Sequence, residues 1–215
     1  MLFRSNRYVQ TLTGTAGADT LTGGAENDLL RGLGGADTLS GLGGNDRLEG
    51  GDGADRLTGG AGNDMLLGGT GNDTYVFAPG FGQDIIKNTG GGSDVVRFEG
   101  INFSQVGSGL LKNGDDLTLR VSGTSDQVTV RDFFLGGENS VSTIEFASGG
   151  SISADQIFNA FGMSNPQPAS NAWHVNSLDS MISAMSSFAP ASAATDNTTE
   201  ETVNISRYLT ASSLR

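Results

Sequence analysis

Residues 14–76 read GTAGADTLT GGAENDLLR GLGGADTLS GLGGNDRLE GGDGADRLT GGAGNDMLL GGTGNDTYV, seven nonapeptides in unbroken succession. Position one is glycine in every unit, from Gly14 to Gly68. Position four is glycine in all but one, where Glu26 stands instead. Position six is aspartate throughout: Asp19, Asp28, Asp37, Asp46, Asp55, Asp64 and Asp73. Position eight is a large apolar residue throughout: Leu21, Leu30, Leu39, Leu48, Leu57, Leu66 and Tyr75.

A nine-residue unit with one inward apolar side chain cannot make a core by itself. Stacked units can, because their position-eight side chains form a continuous internal ladder. The residues around position eight are expected to be a short β-strand, with side chains alternating between faces. The glycine-rich half is expected to turn, using φ > 0 and close backbone approach. Two units then make one coil of 18 residues with a strand on each side. The fold class predicted is all-β: a parallel β-roll of two short sheets. At about 4.8 Å between neighbouring strands, three and a half coils would rise roughly 17 Å.

This stacking places Asp19, Asp37, Asp55 and Asp73 on one edge and Asp28, Asp46 and Asp64 on the other. Carboxylates stacked at strand spacing repel one another unless a cation lies between them. Ca²⁺ suits such gaps, because it takes six to eight oxygen ligands in flexible geometry. The carboxylates would supply part of the shell and carbonyls of the glycine turns the rest. Mg²⁺ demands octahedral geometry and holds its waters, and Zn²⁺ prefers nitrogen and sulfur. Three gaps on one edge and two on the other give about five fully flanked Ca²⁺ sites, using these seven aspartates as metal ligands. Five such ions would carry ten positive charges against a formal net charge of −12.

The repeats resemble the GGxGxDxUx nonapeptides of the repeats-in-toxin family, also called haemolysin-type calcium-binding repeats. Seven tandem copies make that resemblance specific. It implies Ca²⁺ binding in a parallel β-roll, export from a Gram-negative bacterium by a type I secretion apparatus, and an extracellular destination. Departures from the pattern are Thr15, Ala16, Glu26, Leu33 and Leu42, and Glu26 is expected to strain its turn.

The pattern decays after Val76. Phe81–Ile86 and Gly91–Phe98 look like worn repeats with Asp84 and Asp94 in the acidic position, expected to close the roll without binding metal. Period-two segments follow at Leu117–Val121, Val128–Val130 and Val141–Phe146, with Ile152 in a further short strand. Ser153 and Gln156 have capping-box spacing before Ile157, so a short helix is expected there. This stretch resembles the region that follows the repeats in the same family, and its expected task is to cover the open end of the roll. The expected organisation is a lead-in over 1–13, the repeats over 14–76, worn repeats and a β-rich cap over 77–161, and a tail over 162–215. Within the tail, 163–170 reads as a linker. Leu178, Met181, Ile182, Met185 and Phe188 lie at helical spacing, and 189–201 has the composition of a disordered segment. The C-terminus is similar in composition to an uncleaved type I secretion signal.

Composition narrows the function further. Asp and Glu total 24 against 12 Lys and Arg, which disfavours nucleic acid and anionic membranes as partners. No cysteine is present, so neither a disulfide nor a thiolate metal site is available. No apolar run approaches the roughly 20 residues needed to span a bilayer, and Met1–Thr13 lacks the apolar centre of a Sec signal peptide. His174 is the sole histidine, and neither a G-x-S-x-G elbow nor an H-E-x-x-H helix occurs. The expectation is therefore a non-enzymatic, calcium-binding folding and export module. The alternative is the C-terminal remnant of a larger secreted toxin, protease, lipase or adhesin whose active domain lies upstream. A host-surface target is compatible with either.

Overall fold

The computed structural model describes residues 10–107, 109–166 and 201–203. The expected linker falls partly outside these residues, and the helix at 178–188 and the remainder of the tail lie outside them except for 201–203.

Ten strands wind the roll: β1 (Gln10–Thr13), β2 (Thr20–Thr22), β3 (Asp28–Gly34), β4 (Thr38–Gly43), β5 (Arg47–Asp52), β6 (Arg56–Ala61), β7 (Met65–Thr70), β8 (Thr74–Phe77), β9 (Gln83–Ile86) and β10 (Val95–Phe98). After a short helix α1 (Phe103–Val106) come β11 (Leu110–Asn113), β12 (Asp116–Arg120), β13 (Gln127–Val130), β14 (Thr143–Glu145), β15 (Ser151–Ser153), helix α2 (Ala154–Ala160) and β16 (Glu201–Val203).

Odd and even strands go to different sheets. One sheet runs β1-β3-β5-β7-β9-β13-β12-β11-β16 and the other β15-β14-β10-β8-β6-β4-β2. Every neighbour within the solenoid pairs in parallel, in a winding of about five turns. The register is set by position eight. In the first sheet Leu12, Leu30, Leu48, Leu66, Ile86 and Val130 stand opposite one another in succession. In the second sheet Leu21, Leu39, Leu57, Tyr75, Val96 and Ile144 do the same. From Leu30 to Tyr75 every position-eight side chain is fully buried. The repeat period and the ladder are thus one feature: 18 residues per coil return the same apolar side chain to the same internal line.

The two worn repeats keep that line going. Leu66 pairs with Ile86 across 20 residues and Tyr75 with Val96 across 21, so the extra residues are absorbed in the turns and not in the strands. Beyond them each sheet changes from parallel to antiparallel, at β13–β12 in one and β14–β15 in the other. This closes the end of the roll with hairpin-type pairing. A phenylalanine group of Phe77, Phe81, Phe98, Phe103 and Phe146, and another of Phe133, Phe134, Phe158 and Phe161, fill the space below. The core is continuous from Leu30 to Phe158. Helix α2 begins with the expected capping box, in which Ser153 and Gln156 satisfy each other's main-chain N–H groups.

Backbone strain falls elsewhere than expected. Glu26 does not adopt positive φ, so it carries none. Position two does adopt it: Leu33 and Leu42 have φ of 79° and 75°, where Gly51, Gly60 and Gly69 take the same place at 109–113°. Both leucines are half exposed, so their side chains contribute little to the core that would offset a left-handed backbone.

Candidate metal centre

Each turn delivers its position-six aspartate to one edge of the roll, and the carboxylates form two columns. Six of the seven carboxylates use Oδ1 to tie coils together, Asp28 by accepting from Gln10 N–H at 3.0 Å. Asp19 N–H donates to Asp37 Oδ1 at 2.7 Å, Asp37 N–H to Asp55 Oδ1 at 2.8 Å, and Asp55 N–H to Asp73 Oδ1 at 2.9 Å. On the other edge Asp28 N–H donates to Asp46 Oδ1 and Asp46 N–H to Asp64 Oδ1, both at 2.7 Å. All seven expected site residues therefore lie in two columns, and six of them are buried. Asp19, at the open start of the roll, is only partly so.

The second oxygen separates the residues into two sets. In Asp37, Asp46, Asp55, Asp64 and Asp73, Oδ2 is buried and has no hydrogen-bond donor. In the first coil it is satisfied. Asp19 Oδ2 accepts from the main-chain N–H of Thr15 at 2.6 Å and from its hydroxyl at 2.9 Å, and Asp28 Oδ2 accepts from Gly24 N–H at 2.6 Å.

The surroundings of the unpartnered oxygens are oxygen-rich. A Cβ built at Gly50 would collide with both Asp55 Oδ2 and the carbonyl oxygen of Gly68, one coil further on. The same holds at Gly32 for Asp37 and the Gly50 carbonyl, and at Gly41 for Asp46 and the Gly59 carbonyl. Glycine is required at position one because a side chain there would fill the spot where carboxylate and carbonyl converge. An anionic oxygen facing a carbonyl oxygen with no proton between them is a donor set for a hard cation. Among the described residues no three carboxylate or imidazole groups converge on one point.

Electrostatics agree with that reading. Burial drives the Asp46 and Asp73 carboxyls up to about 7 and Asp64 up to about 6, against a main-chain hydrogen bond that lowers each. The neighbouring carboxylates, Asp64 and Asp28 for Asp46 and Asp94 and Asp55 for Asp73, raise them further. Columns of buried carboxyls with raised pKa values hold protons or cations and resist standing bare.

The turns are further braced at position five, all along one edge. Asn27 Oδ1 accepts from Asn45 N–H at 2.7 Å, Asn45 Oδ1 from Asn63 N–H at 2.8 Å, and Asn63 Oδ1 from Gln83 N–H at 3.0 Å. The opposite edge has Ala18, Ala36 and Ala54 in that place and resumes with Asn72, which accepts from Ser93 N–H at 2.7 Å. The repeat alignment contains these asparagines at every second unit, but the aspartate pattern beside them hid the alternation.

A two-sheeted parallel roll with oxygen-lined carboxylate columns along both edges defines the class of cation-stacked β-rolls. Within that class, residues 13–48 and 40–75 match the RTX calcium-binding nonapeptide repeat (4 copies), and residues 116–156 match the Haemolysin-type calcium binding protein related domain. The repeat region is an RTX-type calcium-binding module.

Proposed function

We propose that Ca²⁺ occupies the gaps between successive turns on both edges and that the chain folds on this ion after export. The observation that carries the reading is the set of buried, donor-less Oδ2 atoms at Asp37, Asp46, Asp55, Asp64 and Asp73, each beside the glycine turn of its own coil. Asp19 and Asp28 belong to the same columns and flank the first gap on each edge. About five gaps follow from the seven aspartates. Calcium supplies positive charge and a large oxygen coordination shell.

The chain's own residues supply the rest. Asp Oδ1 atoms hold consecutive coils in register, and position-one glycines leave room for the ligand oxygens. Where Ca²⁺ is scarce, the columns repel and the glycine-rich turns cost much conformational entropy to order. Such a chain can pass through a type I export channel unfolded. Outside, at the 10⁻⁴–10⁻³ M affinities typical of extracellular modules, ion binding becomes folding free energy. Residues 77–161 serve as the cap that covers the end of the roll, and the module itself is structural, with no catalytic role. The destination is extracellular, for a protein of a Gram-negative bacterium. A protease-protection assay tests this: the repeat region should be digested in EDTA and resist digestion in millimolar Ca²⁺. Equal digestion in both would refute it.

A further inference from the structure

Two aspartates stand one coil beyond the last full nonapeptide, one on each edge. Asp64 N–H donates to Asp84 Oδ1 and Asp73 N–H donates to Asp94 Oδ1, each at 2.8 Å. Both side chains are buried, 2% and 1% exposed. In each case the glycine two residues earlier, Gly82 or Gly92, keeps the positive φ of the repeats. By backbone and by first oxygen, the two residues are equivalent.

They differ at the second oxygen. Asp94 Oδ2 accepts from the Asn88 side-chain amide at 2.7 Å. The Asn88 carbonyl oxygen accepts in turn from the Tyr75 hydroxyl at 2.7 Å, and the Tyr75 oxygen accepts from Gly68 N–H at 3.0 Å. A Cβ at Gly68 would meet Asp73 Oδ2 and the Tyr75 hydroxyl, where the equivalent position one coil earlier meets a main-chain carbonyl. A neutral chain of Tyr75 and Asn88 therefore occupies the place of a ligand carbonyl and supplies the proton that the last carboxylate needs. Asp84 has no such partner. Its Oδ2 is buried with no donor, the state shared by the inner repeat aspartates. Across the next coil it faces Asp126, whose own oxygens accept from Gly80 N–H at 2.8 Å and Gly82 N–H at 3.2 Å.

We propose that Asp84 is a calcium ligand, so that the column Asp28, Asp46, Asp64 runs one coil past the last nonapeptide, while Tyr75 and Asn88 end the opposite column at Asp94. The two edges thus carry unequal tails of the same design. A buried anionic oxygen needs a proton donor or a cation. The fold provides the donor at Asp94 and leaves the cation as the partner of Asp84. This assignment rests on the calcium reading given above.

Native mass spectrometry of the full chain in Ca²⁺ tests it. Asp84→Asn keeps the Oδ1 acceptor for Asp64 N–H but removes the charge, and it should bind one ion fewer than the parent. Asp94→Asn should bind the same number as the parent. An unchanged count for Asp84→Asn, or a lost ion in Asp94→Asn, overturns the assignment. Crystals of the unmodified chain grown with Tb³⁺ give a second measurement that does not depend on a variant folding. An anomalous peak should lie at bonding distance from Asp84 Oδ2 and none from Asp94 Oδ2. Peaks in the repeat gaps but none at Asp84 overturn this inference alone, whereas no peak in any gap overturns the calcium reading itself.

Discussion

Replacing Asp55 by Asn tests the stacked columns most sharply when set against the same change at Asp19. Asp55 is buried, its Oδ1 is held by Asp37 N–H, and its Oδ2 has no donor. It flanks two gaps, toward Asp37 and toward Asp73. Asparagine preserves the Oδ1 acceptor but presents an uncharged amide to the cation, and breaking a buried charge pairing costs about 3 kcal/mol. If about five ions bind as one cooperative unit, that is roughly 0.6 kcal/mol per ion, or a rise of about 2.7-fold in the calcium midpoint of folding, at 1.4 kcal/mol per decade. Asp19 flanks one gap, is partly exposed, and has Oδ2 bonded to Thr15. Its loss resembles that of an ordinary hydrogen bond, about 1 kcal/mol, which gives a rise of only about 1.4-fold. The assay is far-ultraviolet circular dichroism at fixed pH as Ca²⁺ is added to each variant. Equal midpoints for the two variants would refute the reasoning, because a column in which interior and terminal carboxylates are equivalent is not a stack of shared sites.

Further outcomes follow from burial and backbone. The Asp46, Asp64, Asp73 and Asp84 carboxyls are all raised, chiefly by burial, to between about 6 and about 8. A raised folded-state value favours the folded form below the unfolded value near 3.8, and that contribution disappears as pH climbs through 6 to 8. The chain in EDTA should therefore show more β-structure at pH 4.5 than at pH 8, and an equal signal at both would contradict the burial of the columns. Leu33→Gly relieves a left-handed leucine at a cost in chain entropy. A net gain of about 0.5–1 kcal/mol in calcium-loaded stability should appear in urea melts, and a loss would show that the side chain packs against something essential. Leu57→Ala empties one rung of the internal ladder, and a destabilisation of about 2–5 kcal/mol is expected by the same melts.

The repeat made most of this legible. A nine-residue period with one apolar residue leaves a single way to bury that residue, so the two sheets, their register and both aspartate columns follow from spacing alone. What spacing could not show is what occupies the second oxygen. Asp19 and Asp28 hold the same position in their units as the later aspartates, yet the N–H groups of Thr15 and Gly24, which lack the positive φ of the later position-two residues, donate to them. Asp84 stands out in the sequence as the aspartate of a worn repeat, but spacing does not show that its second oxygen lacks a donor. It lies eleven residues after Asp73 and not nine, so the period breaks although the Gly-x-Asp triplet at Gly82 survives. The missing consensus glycine points to strain at Glu26. The backbone places its left-handed residue at position two as well, and it is Leu33 and Leu42 that occupy it.

Circular dichroism of the full chain at pH 7.5, first in EDTA and then with rising Ca²⁺, probes the central claim without any variant. Oxygen-lined gaps that need a cation predict little β-structure in EDTA and a steep, cooperative gain as calcium approaches millimolar. A complete β-sheet spectrum in EDTA, unchanged by the ion, would mean that the carboxylate columns stand without it.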